Sequence, residues 1–255
     1  MLPRYIGITD VPTAVAARRF GDCMPNWVDA KVMIGVMMSE KTLNQKPTKW
    51  AKVFPPKESI AEIFTDHARV LNTLHYADYD GVSKVQDLLR AVSYSGPHLH
   101  ALQLDMIWPD AKLVFEFKEH HPNIGIVLQV SKVAMKRLPN IGAVFRKILD
   151  YGDSIDTILI DMSMGTGKPM STKLMRERVS ILSSAFPALG IAVAGGLGPF
   201  TLNLVEPLLA DRHPIISVDA QGRLRPSGNS KDPLDLEIAE EYLLRAKDLF
   251  FRYSF

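Results

Sequence analysis

The chain has 255 residues, 47% of them apolar and 23% charged, which is enough for one large core. Its 30 basic and 28 acidic residues leave a net charge of +2 without any block of one sign, so composition points to neither nucleic acid nor a membrane as partner. A single cysteine, Cys23, excludes an internal disulfide and a cysteine-rich zinc site, and no apolar run has signal-peptide or bilayer length, so the expectation is a cytoplasmic protein.

The predicted elements alternate. Apolar runs at 5–8 and 32–38 come first, and a long connection at 39–57 follows, rich in lysine around Trp50 and ending in Pro55-Pro56. A helix is expected over 59–71, a strand over 73–77, a helix over 83–92, and strands over 99–104 and 124–130. Helical spacing then covers 143–149, a strand 157–160, a helix 173–185, a strand 191–194, a helix 202–210 and a strand 215–218. In the last helix, Asp232 suits the cap and Pro233 the first turn, with Leu234, Ile238, Tyr242, Leu249 and Phe250 recurring at helical spacing. Eight strands, each with a helical partner and no linker between them, predict a single (βα)8 TIM barrel over 1–255. In such a barrel residues 39–57 would overhang the mouth as a lid.

Barrel chemistry gathers at the C-terminal strand ends, so the junctions after the apolar runs carry the candidates. Three are rich in glycine: Asp161 to Lys168 with Gly165 and Gly167, Ala194 to Pro199 with Gly195 and Gly196, and Asp219 to Arg223 with Gly222. Glycine lets backbone N–H groups approach an anion, and a helix starting directly afterwards would add its positive end, which together predict a phosphate cradle. Met162 and Pro169 break a Walker loop around Gly167-Lys168, so nucleotide hydrolysis is disfavoured. The pairs His98/His100 and His120/His121 read as surface or helix-end residues.

These junctions resemble those of the phosphoribosylanthranilate isomerases of tryptophan synthesis. Arg4 to Thr9 is similar to that family's CGIT strand, Gln103-Leu104-Asp105 to its QLHG, and Asp161 through Lys168 to its D…GGTGK. Ala194 to Leu197 is similar to its AGGL, and Val218-Asp219 through Gly222, Gly228, Lys231 and Asp232 to the stretch at its eighth strand. The resemblance implies a ribose-phosphate-like ligand held by the backbone at Gly195, Gly196 and Gly222. It also implies an aldose-to-ketose Amadori rearrangement with Asp161 as general acid. The family's general base, a first-strand cysteine, is replaced by Ile6, its strand-two arginine is missing from Ser39-Glu40-Lys41, and its strand-four histidine is replaced by Asp105.

The leading expectation is therefore an isomerase for a phosphorylated sugar conjugate, with Asp161 as acid, Asp105 as replacement base, and Lys41, Gln103 and Asp219 as further ligand contacts. Asp105 has a second reading, as a cap for the helix near Pro109. Two alternatives stand beside the isomerase: a barrel that binds or senses a phosphorylated metabolite without chemistry, and metal-dependent epimerase or lyase chemistry on Asp105, Asp161 and His75. No cofactor and no resident metal are expected. The aromatic tail Phe250-Phe251-Arg252-Tyr253-Ser254-Phe255 suits either a homodimer interface or packing on the barrel's own helices.

Overall fold

The alternating pattern folds as a closed parallel barrel. In the computed structural model, residues 2–163, 167–211 and 216–253 are described. The strands are β1 (Tyr5–Thr9), β2 (Lys31–Ser39), β3 (Val70–Asp78), β4 (Ala101–Met106), β5 (Gly125–Ser131), β6 (Thr157–Asp161), β7 (Gly190–Ala194) and β8 (Ile216–Ala220). They pair in chain order, and β8 closes on β1. Between and after them run α1 (Ala14–Asp22), α2 (Glu40–Leu43), α3 (Ile60–Ile63), α4 (Val85–Ser93), α5 (Ala111–His120), α6 (Lys132–Lys136), α7 (Ile141–Leu149), α8 (Thr172–Ala185), α9 (Glu206–Ala210) and α10 (Leu236–Arg252). Among the described residues no helix is long and apolar enough to cross a membrane.

Strand side chains alternate between two faces, so parity decides what enters the barrel. Tyr5, Met33, Leu71, Val127, Leu159 and Ala192 fill its N-terminal half as one apolar cluster. Their strand neighbours, such as Ile6, Ile34, Leu102, Ile160 and Val193, face outward into the larger core under the helices. The same parity brings polar residues inward one or two steps further along most strands, and that is where the site forms.

The predicted helix over 59–71 is cut short. Only a 3-10 turn at Lys57–Ser59 and α3 form, because the Asn72 side chain holds the next segment extended. Its amide donates to Thr65 O and His98 O, both at 2.7 Å, and its Oδ1 accepts from Thr65 N at 3.4 Å. Residues 202–210 divide into a 3-10 turn at Leu202–Leu204 and α9, with Pro207 in the first turn of α9. The last helix is capped by Asp235, not Asp232: Asp235 accepts from the Glu237 and Ile238 amides at 3.0 Å. Asp232 instead binds the Ser227 hydroxyl, and Leu234 lies ahead of the helix. Of the tail, Phe250 is buried under the Arg4 guanidinium, and Phe251 meets Trp27 edge-on at 4.8 Å. Ser254 and Phe255, like Ile215 of the eighth predicted strand, lie outside the described residues.

Candidate active site at the barrel mouth

Above the apolar plug, the C-terminal strand ends enclose a cavity of about 450 Å³. Its floor is made by Met37, His75, Gln103, Gln129 and Leu159, and Thr9, Asp105, Asp161, Ala194 and Asp219 stand around it. Every one of these side chains follows from inward parity on its strand. Gly7 is needed beneath them, because a Cβ there would come within 2.5 Å of Asp219 Oδ1.

The three aspartates come from alternate strands, β4, β6 and β8. Asp161 accepts from Ser163 N at 2.8 Å, from the Ser163 hydroxyl at 3.2 Å and from Gln129 Nε2 at 3.1 Å. Gln129 in turn accepts from Gln103 Nε2 at 2.9 Å. A carboxylate can only accept, so this chain of amides has one direction, and Gln103 Oε1 ends it without a partner among the described residues. Asp105 accepts from the Tyr79 hydroxyl at 2.6 Å. Burial pushes its carboxyl up to about 7, with the Tyr79 hydroxyl pulling down and the Asp161 charge pushing further up. Asp219 also rises to about 7, first by burial and then by the Asp161 charge, against the Thr9 hydroxyl, which it meets at 3.3 Å, and the Ala220 amide. Asp105 does not cap a helix. It belongs to β4, and α5 is capped by Asp110, which accepts from Lys112 N.

The glycine loops line the same cavity. Gly167, Gly195, Gly196 and Gly222 all border it, whereas Gly165 lies outside the described residues. Gly196 has φ +63°, and a Cβ there would come within 2.5 Å of Lys168 O, so the loops after β6 and β7 touch backbone to backbone. Arg223 Nε donates to Gly167 O at 2.8 Å and ties in the loop after β8. Among the described residues no acceptor engages the amides of Gly196, Leu197 or Gly222. The expected helix starting directly behind this cradle is absent. After β7 and β8 the first turns are 3-10, at Leu202–Leu204 and Gly222–Leu224, and α9 and α10 start only at Glu206 and Leu236, so an anion between these two loops would meet loop amides before a helix end.

The segment over 39–57 overhangs the cavity. Pro47, Thr48, Lys49, Trp50 and Phe54 line it, Trp50 stacks on Phe54 at 5.3 Å, and Lys231 Nζ from the loop after β8 lies 5.9 Å from the Trp50 ring centre. Lys41 sits at the rim, paired with Asp80 at 2.8 Å. His75 is buried with Nε2 lacking a partner among the described residues, and burial alone lowers it to about 3, so it is a neutral imidazole. No three His, Cys, Asp or Glu side chains among the described residues are arranged to share a metal ion.

Ile6 faces the helices with no exposed surface, so the first strand offers the mouth Thr9 in place of a base. Cys23 terminates α1 and is not among the cavity residues. His100 is neither at a helix end nor fully exposed: it precedes β4 and accepts from Asn72 N of β3 at 3.0 Å, whereas His120 and His121 close α5. Tyr79, Gln129 and Thr9 were not among the residues singled out by sequence. Inward parity would have indicated the last two, but no local pattern announces Tyr79.

No protein-family model matches this sequence, and no curated protein matches it. Solved structures share the fold. A phosphoribosyl anthranilate isomerase from Thermococcus kodakaraensis superposes with a TM-score of 0.61 at 15% identity, covering 96% of this chain and 99% of that one. The catalytic domain of a chitinase from Pyrococcus furiosus gives 0.57 at 11% identity over 98% and 96%. Triosephosphate isomerase from Bartonella henselae gives 0.57 at 10% identity over 98% and 100%. These similarities establish a single (βα)8 barrel.

Proposed function

We propose that this barrel is a cytoplasmic isomerase of a phosphorylated sugar conjugate, similar in reaction type to the phosphoribosylanthranilate isomerases. One observation carries the reading: a single cavity is bordered by Gly195, Gly196 and Gly222 together with Asp105 and Asp161. A phosphate accepting from the loop amides would leave the sugar over the aspartates. Asp105, near 7, suits a base at neutral pH: in the fraction of the protein in which Asp161 and not Asp105 carries a proton, Asp105 takes the proton from carbon 2 while Asp161 protonates the ring oxygen, whose bond to carbon 1 breaks. Return of that proton to carbon 1, with the carbon-2 hydroxyl proton passing back to Asp161, leaves a ketone at carbon 2 and completes an isomerisation with no net change in oxidation state and no second substrate. Gln103 and Asp219 supply further acceptors for sugar hydroxyls, Lys41 a cation at the rim, and residues 39–57 a lid that excludes water.

Calorimetry with inorganic phosphate and ribose 5-phosphate, followed by a panel of phosphosugars and phosphoribosylanthranilate, tests this reading. Binding and turnover are expected, with Asp105→Asn and Asp161→Asn each lowering kcat by about 10²- to 10⁴-fold. A second reading has its own support in the outward-facing Ile6, which leaves the first strand without a base: a binder or sensor of a phosphorylated metabolite. Phosphate-dependent binding with no substrate converted would favour it, and absence of phosphate binding would overturn both.

A further inference from the structure

We propose that Tyr79 is a positioning residue of this site, its hydroxyl fixing one oxygen of Asp105 so that the other is presented to the ligand. The inference rests on the reading of Asp105 as the base. Tyr79 follows β3 in a turn organised by a single carboxylate. Asp78 Oδ1 accepts from Asp80 N at 3.0 Å and Gly81 N at 2.9 Å. Its Oδ2 accepts from Val82 N at 2.9 Å, Ser83 N at 2.8 Å and the Ser83 hydroxyl at 2.7 Å. The Tyr76 hydroxyl meets Ser83 Oγ at 3.0 Å, and the Lys41–Asp80 pair secures the turn from outside. So many contacts on one short segment leave residue 79 little freedom.

From this fixed turn the Tyr79 hydroxyl reaches across to β4 and donates to Asp105 Oδ1 at 2.6 Å, the length of a charge-assisted O–H···O⁻ bond. Among the described residues Tyr79 is the one side chain hydrogen-bonded to Asp105, through Oδ1, and Asp105 borders the cavity. The carboxyl is thus held by one oxygen and offered by the other. The ring of Tyr79 is 42% exposed, so the residue is not spent on the core. The titratable groups acting on Asp105 are Tyr79 from the turn after β3 and Asp161 from β6; His75 from β3, Asp219 from β8 and, toward the rim, Glu40, Lys41, Lys49 and Asp80 border the same cavity. Gln103 and Gln129, its polar neighbours on the cavity floor, are uncharged. A donor favours the ionised carboxyl, so its loss must drive Asp105 upward.

The test uses the full-length protein with Tyr79→Phe, which keeps the ring, and Asp78→Asn, which loosens the turn. The carboxyl carbon of Asp105, assigned in NMR spectra by comparison with Asp105→Asn, is titrated in each. In Tyr79→Phe the midpoint is expected to rise by about one pH unit, with a smaller rise in Asp78→Asn. Inorganic phosphate should bind as in the parent, while the acidic limb of kcat/KM moves to higher pH and kcat/KM at pH 7 falls about fivefold. An Asp105 midpoint that stays put or falls in Tyr79→Phe would overturn the proposal, since a purely structural tyrosine would leave it unmoved. If the parent converts no phosphosugar, the isomerase reading fails, and the titration still decides whether Tyr79 holds Asp105.

Discussion

Single side chains at the mouth are set by what backbone and burial allow. Gly196 combines a left-handed φ of +63° with a close approach to Lys168 O, so Gly196→Ala must strain its own residue and push the loop after β6 away. Strain of this kind costs about 1–3 kcal/mol, which urea unfolding would register, and calorimetry is expected to show at least a tenfold loss of inorganic phosphate affinity. Asp219 makes a different prediction. Its folded carboxyl sits at about 7, above the ordinary value of 3.8, so the folded protein keeps a proton that the unfolded chain releases as pH rises from about 4 to 7. Its contribution to stability is therefore full below pH 4 and lost by pH 7 and above. Asp219→Asn, which removes the buried charge, should raise stability at pH 8 by on the order of 2–4 kcal/mol and change it little at pH 4. Unfolding free energies at the two pH values check this, and a gain at pH 4 equal to that at pH 8 would contradict the assigned cause.

At the scale of elements, the strands were legible because period-two patterning and glycine-rich junctions are written locally. The helices were legible only in part. The stretch over 59–71 has helical spacing, but Asn72 spends its side chain on Thr65 and His98 across the barrel base, and a contact 26 residues away in sequence leaves no local trace. The site divides in the same way. Asp105, Asp161, Gln103 and Asp219 stand at strand ends, where a barrel must display them, and the structure gathers all four around one cavity. Tyr79 and Gln129 act through partners on other strands, which sequence order does not reveal. The segment over 39–57 stands out by its length, its residues Pro47, Thr48, Lys49, Trp50 and Phe54 line the cavity, and Trp50 offers a test of the proposed lid. Trp50→Ala removes the stack on Phe54 and the contact with Lys231, so the segment is expected to open. Limited proteolysis with trypsin should then cut severalfold faster at Lys49 and Lys52, while inorganic phosphate should protect the parent more than the variant. Equal cutting in both would show that Trp50 does not hold the segment down.

The whole molecule depends on closure, since a barrel open between β1 and β8 has two unpaired edges and no site. That seam has the fewest paired residues recorded, Ile6 to Ile8 against Val218 to Ala220, and it lies directly beside the cradle. It is reinforced at the mouth by an ion pair. Arg225, 3% exposed, meets Asp10 Oδ2 at 2.5 Å, Gln221 Nε2 donates to the same oxygen at 3.0 Å, and Arg225 Nε donates to Asp232 O at 3.0 Å. Burial raises the Asp10 carboxyl despite the guanidinium beside it, which marks the pair as costly to form and costlier to break. Asp10→Ala leaves a buried guanidinium without its counter-charge and should destabilise the protein by about 3–5 kcal/mol. Replacing both partners, as in Asp10→Ala with Arg225→Met, removes the stranded charge and should recover much of that loss. Urea unfolding of the two single variants and the double variant measures the coupling. Phosphate binding adds a second readout, because loosening this seam displaces Gln221 and Gly222 and so should weaken inorganic phosphate even in the double variant. Recovery of most of the stability with affinity still reduced is the expected pattern, and it would identify the pair as an organiser of the mouth more than a source of stability.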